Sequence, residues 1–585
     1  MPIEESVKER ITDHIAFLYG EDRAPRIFER LLSMLEDFQK RNPGIARRAF
    51  GARWSEEDAF LITYGNQVQE PDKPPLQSLG EFLEEYAGGI LSGVHILPFF
   101  PYSSDDGFSV IDYKQVNPDW GSWQDIRRIG RSFRLMFDAV INHVSSKSKW
   151  FQEFLRGNPE YEDFFITVEE GTDLSSVVRP RATPLLTPFE TAKGRKLVWT
   201  TFSADQIDLN YANPEVLLRV IDILLFYVEK GAEVIRLDAI AYLWKKIGTP
   251  CIHLEETHRV VKLFRAIFDA VAPYVIILTE TNVPHEENIS YFGNGHDEAQ
   301  MVYQFSLPPL VLHSIHTGNA EKLSRWASGL SLPSRETTFF NFLASHDGIG
   351  MMPAIGILSS DEIQDLVEKT LRNGGFVSYK ANPDGSKSVY ELNISYIDAL
   401  AEPGDDQDVL VGKFMASQAI MLSLQGIPGI YVHSLFGSRS DREAVLRTGI
   451  NRAINRARFV RSELERELAD ENSLRHKVYT AYKRLLSIRR SHPAFHPDSE
   501  QRILNLDPAV FAVLRTHTPG AQGSVLAVQN VSGNRVIARV DLKEIRWTGV
   551  ESAVDLISGA RIPAGAGLLA LQLEPYQSMW ITGGR

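Results

Sequence analysis

The sequence predicts a (β/α)8 TIM barrel of the α/β class, with a small domain inserted after the third strand and an all-β domain at the C-terminal end. Three observations predict it. Eight short apolar runs alternate with amphipathic helical stretches, at residues 60–64, 93–100, 135–142, 233–239, 275–279, 302–306, 339–344 and 429–433. The runs are rich in β-branched and aromatic residues, as strands buried on both faces of a parallel sheet are. Strands alternating with helices form right-handed βαβ units, and eight of these close a barrel more readily than they extend an open sheet.

The elements follow in order. Residues 1–54 read as an N-terminal helical extension, because Ile11, Ile15 and Leu18, then Ile27, Leu31, Leu32, Leu35 and Phe38, recur at helical spacing. Asn42-Pro43-Gly44 closes that stretch with a turn signal. The first part of the barrel occupies 55–144. The interval between the third and fourth runs is too long for one crossover helix, and its Pro, Thr and aromatic residues between 151 and 188 mark an inserted domain over 145–205. The barrel resumes over 206–491. Within it, the Gly-, Asn-, Asp- and Ser-rich interval 374–404 is expected to be a lid loop. Runs at 510–516, 523–530, 534–541 and 576–582, separated by turn residues, read as strands of a β-domain spanning 492–585.

Composition excludes several classes of function. The net charge of −13 over 585 residues argues against nucleic-acid or anionic-membrane binding, since both need basic surface. One anion could still be met in a small basic pocket. Cys251 is the single cysteine, so neither an intrachain disulfide nor a thiolate metal cluster can form. The start Met1-Pro-Ile-Glu-Glu lacks the basic and apolar segments of a secretory signal, and no apolar run is long enough to span a bilayer. A cytoplasmic enzyme acting on small molecules is the expectation.

Barrel enzymes carry their active sites at the C-terminal ends of the strands. The second run leads into Asp105-Asp-Gly-Phe108, the third ends in Asp138-Ala-Val-Ile-Asn142-His143, and the fourth in Arg236-Leu-Asp238. The fifth ends in Glu280 and the seventh in His346-Asp347. Asp238 and Glu280 close neighbouring strands, which lie about 4.8 Å apart. Carboxyl groups held about 5–5.5 Å apart suit retaining glycoside chemistry, with one as nucleophile and the other as acid/base. Arg236, two residues before Asp238 on the same strand face, should lower the Asp238 pKa and keep it ionised. Glu280 must rest protonated, in a less polar setting or beside another negative charge, which Asp347 would supply. His143 and His346 are natural donors to sugar hydroxyls. An isolated Arg-x-Asp is more often a structural ion pair, and a lone histidine more often structural, so the reading rests on the whole constellation.

In these segments the chain resembles the α-amylase superfamily of glycoside hydrolases and transglycosidases, over roughly residues 55–585. The resemblance implies that Asp238 forms a β-glucosyl ester, that Glu280 is the acid/base and that Asp347 stabilises the transition state. It also implies that Asp105, His143, Arg236 and His346 hold the glucosyl ring. Within the superfamily, Asp105 to Phe108, Trp199 to Asp208, Arg236 to Tyr242 and His346 to Gly350 are similar to the sucrose phosphorylase group. Phe108 would then wall the glucosyl unit, and Gln206 and Tyr242 would lie near the acceptor and phosphate side.

In a phosphorylase, phosphate replaces water in the second half-reaction, so the site needs cationic groups and cover from solvent. Tyr390, on the expected lid, would project inward. Arg179, Arg181, Lys380 and Arg452 are possible phosphate contacts. Sucrose phosphorylases tend to read Leu-Asp-Leu-Tyr-Gln where this chain has Lys387-Ser-Val-Tyr390-Glu391. With the long N-terminal extension and the segment from Thr279 to Asn288, this looks more like the glucosylglycerate phosphorylase branch. The resemblance therefore implies reversible phosphorolysis of a small α-glucoside, 2-O-α-D-glucosylglycerate, to glucose 1-phosphate. Sucrose, sucrose 6-phosphate and glucosylglycerol phosphorylase, an α-glucosidase or transglucosidase, and a catalytically inert binding barrel remain as alternatives. No cofactor is implied beyond inorganic phosphate as co-substrate, and the oligomeric state stays open. Asn142 is a calcium ligand in some amylases, but no acidic cage accompanies it here.

Overall fold

The computed structural model describes residues 3–46, 48, 51–382 and 385–583. Eight parallel strands close into a barrel: β1 (Phe60–Thr63), β2 (Gly93–Ile96), β3 (Arg134–Ala139), β4 (Ala232–Leu237), β5 (Ile276–Thr279), β6 (Met301–Tyr303), β7 (Thr338–Asn341) and β8 (Ile427–Tyr431). They neighbour one another in chain order, and β8 pairs with β1. Each of the eight apolar runs supplies one strand. Every residue of β1, β2, β5, β6, β7 and β8 is buried, which is why the runs show no polar alternation.

Two glycines let large rings fill the interior. Phe60 is in register with Gly93 on one side and Gly429 on the other. A Cβ on Gly93 would lie 2.2 Å from the Phe60 ring, and one on Gly429 would lie 2.4 Å from the Phe340 ring. The missing side chains are the space the rings occupy.

Helices α1 (Glu5–Tyr19) and α2 (Ala24–Arg41) pack on the outside of the barrel. Val7, Ile11, Ile15 and Leu18 form one buried stripe, and Ile27, Leu31, Leu35 and Phe38 the other. Arg10 of α1 pairs with Asp269 on the helix Glu255–Val271, and Arg41 of α2 with Glu229 on the helix Pro214–Glu229. The Tyr19 hydroxyl donates to the Tyr211 carbonyl at 2.9 Å.

Between β3 and β4 the chain forms a three-stranded antiparallel sheet in the order Thr167–Val168, Gly194–Trp199, Leu186–Thr191. A separate pair, His143–Ser145 with Gln206–Asp208, joins this excursion to the barrel rim. The interval expected as a lid loop is instead a hairpin, Phe376–Ala381 with Lys387–Asn393, whose second strand also pairs with Ile349–Gly350. The turn-forming residues concentrate at its tip and flanks, while Val377, Tyr379, Val389, Tyr390 and Leu392 supply strand-forming side chains.

The C-terminal region is an eight-stranded antiparallel sheet. The four expected strands are Val510–Thr516, Ser524–Asn530, Val536–Asp541 and Ser578–Gly583. Four more, Glu500–Ile503, Ser552–Asp555, Arg561–Gly565 and Leu568–Leu573, carry weaker sequence signals. In Leu568–Leu573 alternate residues are buried, but outward Leu568 and Ala570 blur the alternation. Arg515 of this sheet is buried and donates to the Ser423 and His496 carbonyls, tying the sheet to the barrel.

Among the described residues no helix is long and apolar enough to cross a membrane. Gly93→Ala should lower stability by about 1–3 kcal/mol, the usual cost of overpacking a filled core. Thermal or denaturant unfolding of the variant measures this, and an unshifted midpoint would mean the Phe60 ring is not confined there.

Candidate active site

The floor of the site is one guanidinium shared among carboxylates. Arg236 and Asp238 lie two residues apart along β4 and its end, so they face the same way. Asp138 stands opposite Arg236 in register on β3. Arg236 is 2% exposed and contacts Asp138 closely, Asp238 Oδ1 at 2.8 Å and Glu280 Oε2 at 3.7 Å. The second oxygen of Asp138 meets His95 Nε2 from β2 at 2.6 Å. Burial alone would raise Asp138, but Arg236 and His95 outweigh it and hold the carboxyl down at about 2.

Asp238 and Glu280 occupy matching positions one residue beyond paired strands, where Leu237 is in register with Thr279. The Glu280 N–H donates to the Leu237 carbonyl at 3.1 Å. Ala239 adopts a left-handed backbone (φ 48°) and donates its N–H to Glu280 Oε2 at 3.0 Å. That turn ties the Glu280 carboxyl to the backbone next to Asp238. Burial pushes Glu280 up to about 7; Arg236 opposes this, and the charges of Asp238 and Asp347 add to it. Asp238 is pushed up to about 6, again first by burial. This corrects the expectation that Arg236 would depress it. Arg236 does pull downward, but it is shared with Asp138, whose charge, with that of Asp347, adds to the effect of burial.

A cavity opens above this floor. Asp105, Phe108, His143, Gln206, Asp238, Tyr242, Glu280, His346, Asp347, Tyr390 and Arg452 all line it, with Arg236 beneath. The fold therefore brings all twelve candidate residues together. Phe108 lies flat against His346, with ring centroids 4.6 Å apart and planes 1° apart. Burial and the neighbouring Arg456, Arg236 and Arg452 hold His346 well below the ordinary histidine range, so it is neutral. Asp105 and Asp106 take left-handed backbone (φ 51° and 48°), and a Cβ on Gly107 would lie 2.5 Å from the Pro98 carbonyl oxygen. Glycine is required there.

Three expected contacts differ in detail. His143 lines the cavity, but its Nε2–H donates to the Phe108 carbonyl at 2.8 Å and its Nδ1 faces the Asn142 amide at 3.2 Å. Neither nitrogen is left to donate to a sugar. Gln206 donates to the same Phe108 carbonyl at 3.1 Å, so its amide is tied to the Phe108 segment. Arg452 reaches Asp347 at 2.6 Å and grips both oxygens of Glu391, at 3.1 and 2.8 Å. Its charge is already matched by two carboxylates. Of the other basic residues considered, Arg181 lines the cavity, its guanidinium 5.3 Å from the Tyr390 ring centre, whereas Arg179 and Lys380 lie outside the lining.

Sequence reasoning missed Arg456 and Glu391. Arg456 is buried and links Asp105 (3.2 Å), Asp106 (3.0 Å) and the His346 carbonyl (3.0 Å). In sequence it is one of several arginines in a charged stretch, with no spacing to distinguish it.

Asn142 does not fit a metal ion. Lys245 is buried, with its ammonium 2.7 Å from Asn142 Oδ1 and 2.5 Å from Asp208 Oδ2. Asp208 also accepts from the Thr201 backbone N–H and hydroxyl and from the Asn142 amide. A lysine thus supplies the positive charge at this junction. Among the described residues, no group of three or more His, Cys, Asp or Glu side chains could hold a metal ion.

Residues 89–349 match the α-amylase catalytic domain. The solved sucrose 6F-phosphate phosphorylase of Thermoanaerobacter thermosaccharolyticum superposes with a TM-score of 0.71 at 26% identity, covering 83% of this chain and 96% of that one. Glucosylglycerate phosphorylase of Allomeiothermus silvanus is 52% identical over 98% of both chains. Its Escherichia coli counterpart is 46% identical over 98% of this chain and 100% of its own. Sucrose phosphorylase of Agrobacterium vitis is 32% identical over 75% of this chain and 89% of its own. The chain belongs to the α-amylase family, in the sucrose phosphorylase-like group that holds these relatives.

Lys245→Met should cost about 3–5 kcal/mol, because it strands the buried Asp208 carboxylate without its partner. Chelation with EDTA should leave the wild-type unfolding midpoint where it was. A drop in that midpoint on chelation would show that a metal ion, and not the lysine, holds this junction.

Proposed function

We propose that this chain is a retaining glucoside phosphorylase that interconverts 2-O-α-D-glucosylglycerate plus phosphate with α-D-glucose 1-phosphate plus glycerate. The geometry supports retaining chemistry through one observation. Two buried carboxyl groups end adjacent strands at the same level, and Asp238 is the nearer of the two to the shared Arg236. Phosphorolysis and the glycerate acceptor are supported by the near-full-length relatives, each named glucosylglycerate phosphorylase.

In the first half-reaction an Asp238 oxygen attacks C1 of the glucosyl unit. Glu280 gives its proton to the departing glycerate oxygen, leaving a β-glucosyl ester on Asp238. In the second, a phosphate oxygen attacks C1, the ester bond breaks, and the Glu280 carboxylate takes the phosphate proton. Two inversions restore the α configuration. Asp347, held by Arg452, stabilises the positive charge that builds at C1. Asp105 anchors the glucosyl ring, and Phe108 with His346 walls it. Arg181 is the counter-ion for phosphate or for the glycerate carboxylate. The two basic side chains in the lining are Arg181 and Arg452, and Arg452 is already paired with carboxylates. A reaction that draws on inorganic phosphate and releases a charged sugar phosphate belongs in the cytoplasm.

Asp238→Ala should reduce glucosyl transfer by at least about 10³-fold with folding intact. Substantial residual turnover would remove Asp238 as the nucleophile. Glu280→Gln should slow phosphorolysis by about 10²–10⁴-fold but act well on glucosyl fluoride, which needs no acid. A variant equally slow on both donors would lose Glu280 that role.

The pH dependence follows from the two shifts. Asp238 must be ionised, so kcat/KM rises as pH climbs through about 6. Glu280 must keep its proton, so kcat/KM falls as pH passes about 7. The pair titrates as a unit and gives a narrow bell. A flat profile between pH 5 and 8 would contradict this assignment.

A further inference from the structure

We infer that Asp205 is a positioning residue for glucosyl transfer: its carboxylate gathers four serine hydroxyls and so fixes the loop that carries Asp105 and Phe108. The inference rests on the glucosyl position assigned above and adds a residue outside the cavity lining.

The loop after β2 is strained where it meets the site. Asp105 and Asp106 both take left-handed backbone (φ 51° and 48°), a conformation uncommon for residues other than glycine. Such a turn persists only where its surroundings hold it. Arg456 grips the two carboxylates, and the base of the loop is pinched shut. There the Ser103 N–H donates to the Ser109 carbonyl at 3.1 Å, and Tyr102 bridges to Val110.

Asp205, half-buried, holds that base. The Ser103 and Ser104 hydroxyls donate to its Oδ2, and the Ser109 hydroxyl reaches Oδ2 at 2.9 Å and the Asp205 carbonyl at 2.8 Å. The Ser146 hydroxyl donates to Oδ1, and the Ser146 N–H donates to the Asp205 carbonyl at 3.1 Å. Three segments therefore meet on one carboxylate: the loop after β2, the end of the strand His143–Ser145, and the strand Gln206–Asp208 that follows Asp205 directly. A carboxylate only accepts, so it takes hydroxyl hydrogens on both oxygens at once. Burial would raise Asp205, but these four hydroxyls hold it below the usual carboxylate range. Asp105 and Phe108 lie within the pinch, between Ser104 and Ser109. A shift of the base moves the anchor and the wall of the glucosyl ring together, and a misplacement of about 1 Å costs on the order of 10²-fold in rate.

α-D-Glucosyl fluoride isolates this role, because it loads the glucosyl position without the glycerate acceptor. The experiment measures kcat/KM for fluoride release, the inhibition constant of 1-deoxynojirimycin (a glucose-shaped cation) and the unfolding midpoint. Wild type is compared with Asp205→Ala, Asp205→Asn and Ser104→Ala. Asp205→Ala should lower kcat/KM by about 10²-fold and raise the inhibition constant, because anchor and wall no longer stand in register. Asp205→Asn keeps one oxygen for the three loop hydroxyls and turns its amide to Ser146, whose hydroxyl can accept. It should recover to within about tenfold of wild type. Ser104, whose side chain caps no helix, loses only its bond to Asp205 on Ser104→Ala, which should cost about 3–10-fold. That variant decides the matter if Asp205→Ala does not fold. A role confined to stability lowers the number of working molecules and leaves the inhibition constant where it was. That result, or an Asp205→Asn as impaired as Asp205→Ala, overturns the inference. If wild-type enzyme releases no fluoride, the glucosyl position is misassigned, and that reading fails before this one.

Discussion

The Arg236 guanidinium is the interaction on which the site depends. It is buried beneath three carboxylates contributed by β3, β4 and the end of β5, and none of the three could be buried beside the others without it. Because Arg236 cannot lose its proton, the carboxylates compete for a fixed positive charge, and position decides their share. Asp138 takes the close contact and stays ionised. Asp238 takes the next and is held near the point of titration. Glu280 is farthest and keeps its proton longest. Burial pushes all three carboxyls up, and their distances from one guanidinium grade how far that push is offset.

The other arginines of the site differ in their pairing. Arg452 and Arg456 are matched by Asp347, Glu391, Asp105 and Asp106 in a lattice of ion pairs. Arg181, which also lines the cavity, rests on the Tyr390 ring. On the proposed reaction, the paired arginines would hold one sugar constantly while what is attached to it is exchanged.

The barrel was legible because burial on both faces leaves the eight strands as largely apolar runs. The carboxylates were legible because the second, third, fourth, fifth and seventh runs lead into polar residues. Other parts were not, for physical reasons. Arg456 reaches the site from a helical, arginine-rich stretch, where sequence cannot tell a buried guanidinium from a solvated one. The hairpin at 376–393 hid behind its own turn residues. The direction of the Asp238 shift was misjudged because adjacency to Arg236 is visible in sequence, whereas the burial that outweighs it, and the claim of Asp138 on the same guanidinium, depend on the closed barrel.

The lysine between Asn142 and Asp208 bears on the company this enzyme keeps. Phosphate and hydroxy-carboxylates are good ligands for hard divalent cations. On the proposed reaction, a barrel braced by such an ion would share one pool with its substrates, and high substrate levels would loosen the fold. An ammonium carried by the chain itself cannot be sequestered, so this junction stays independent of those concentrations.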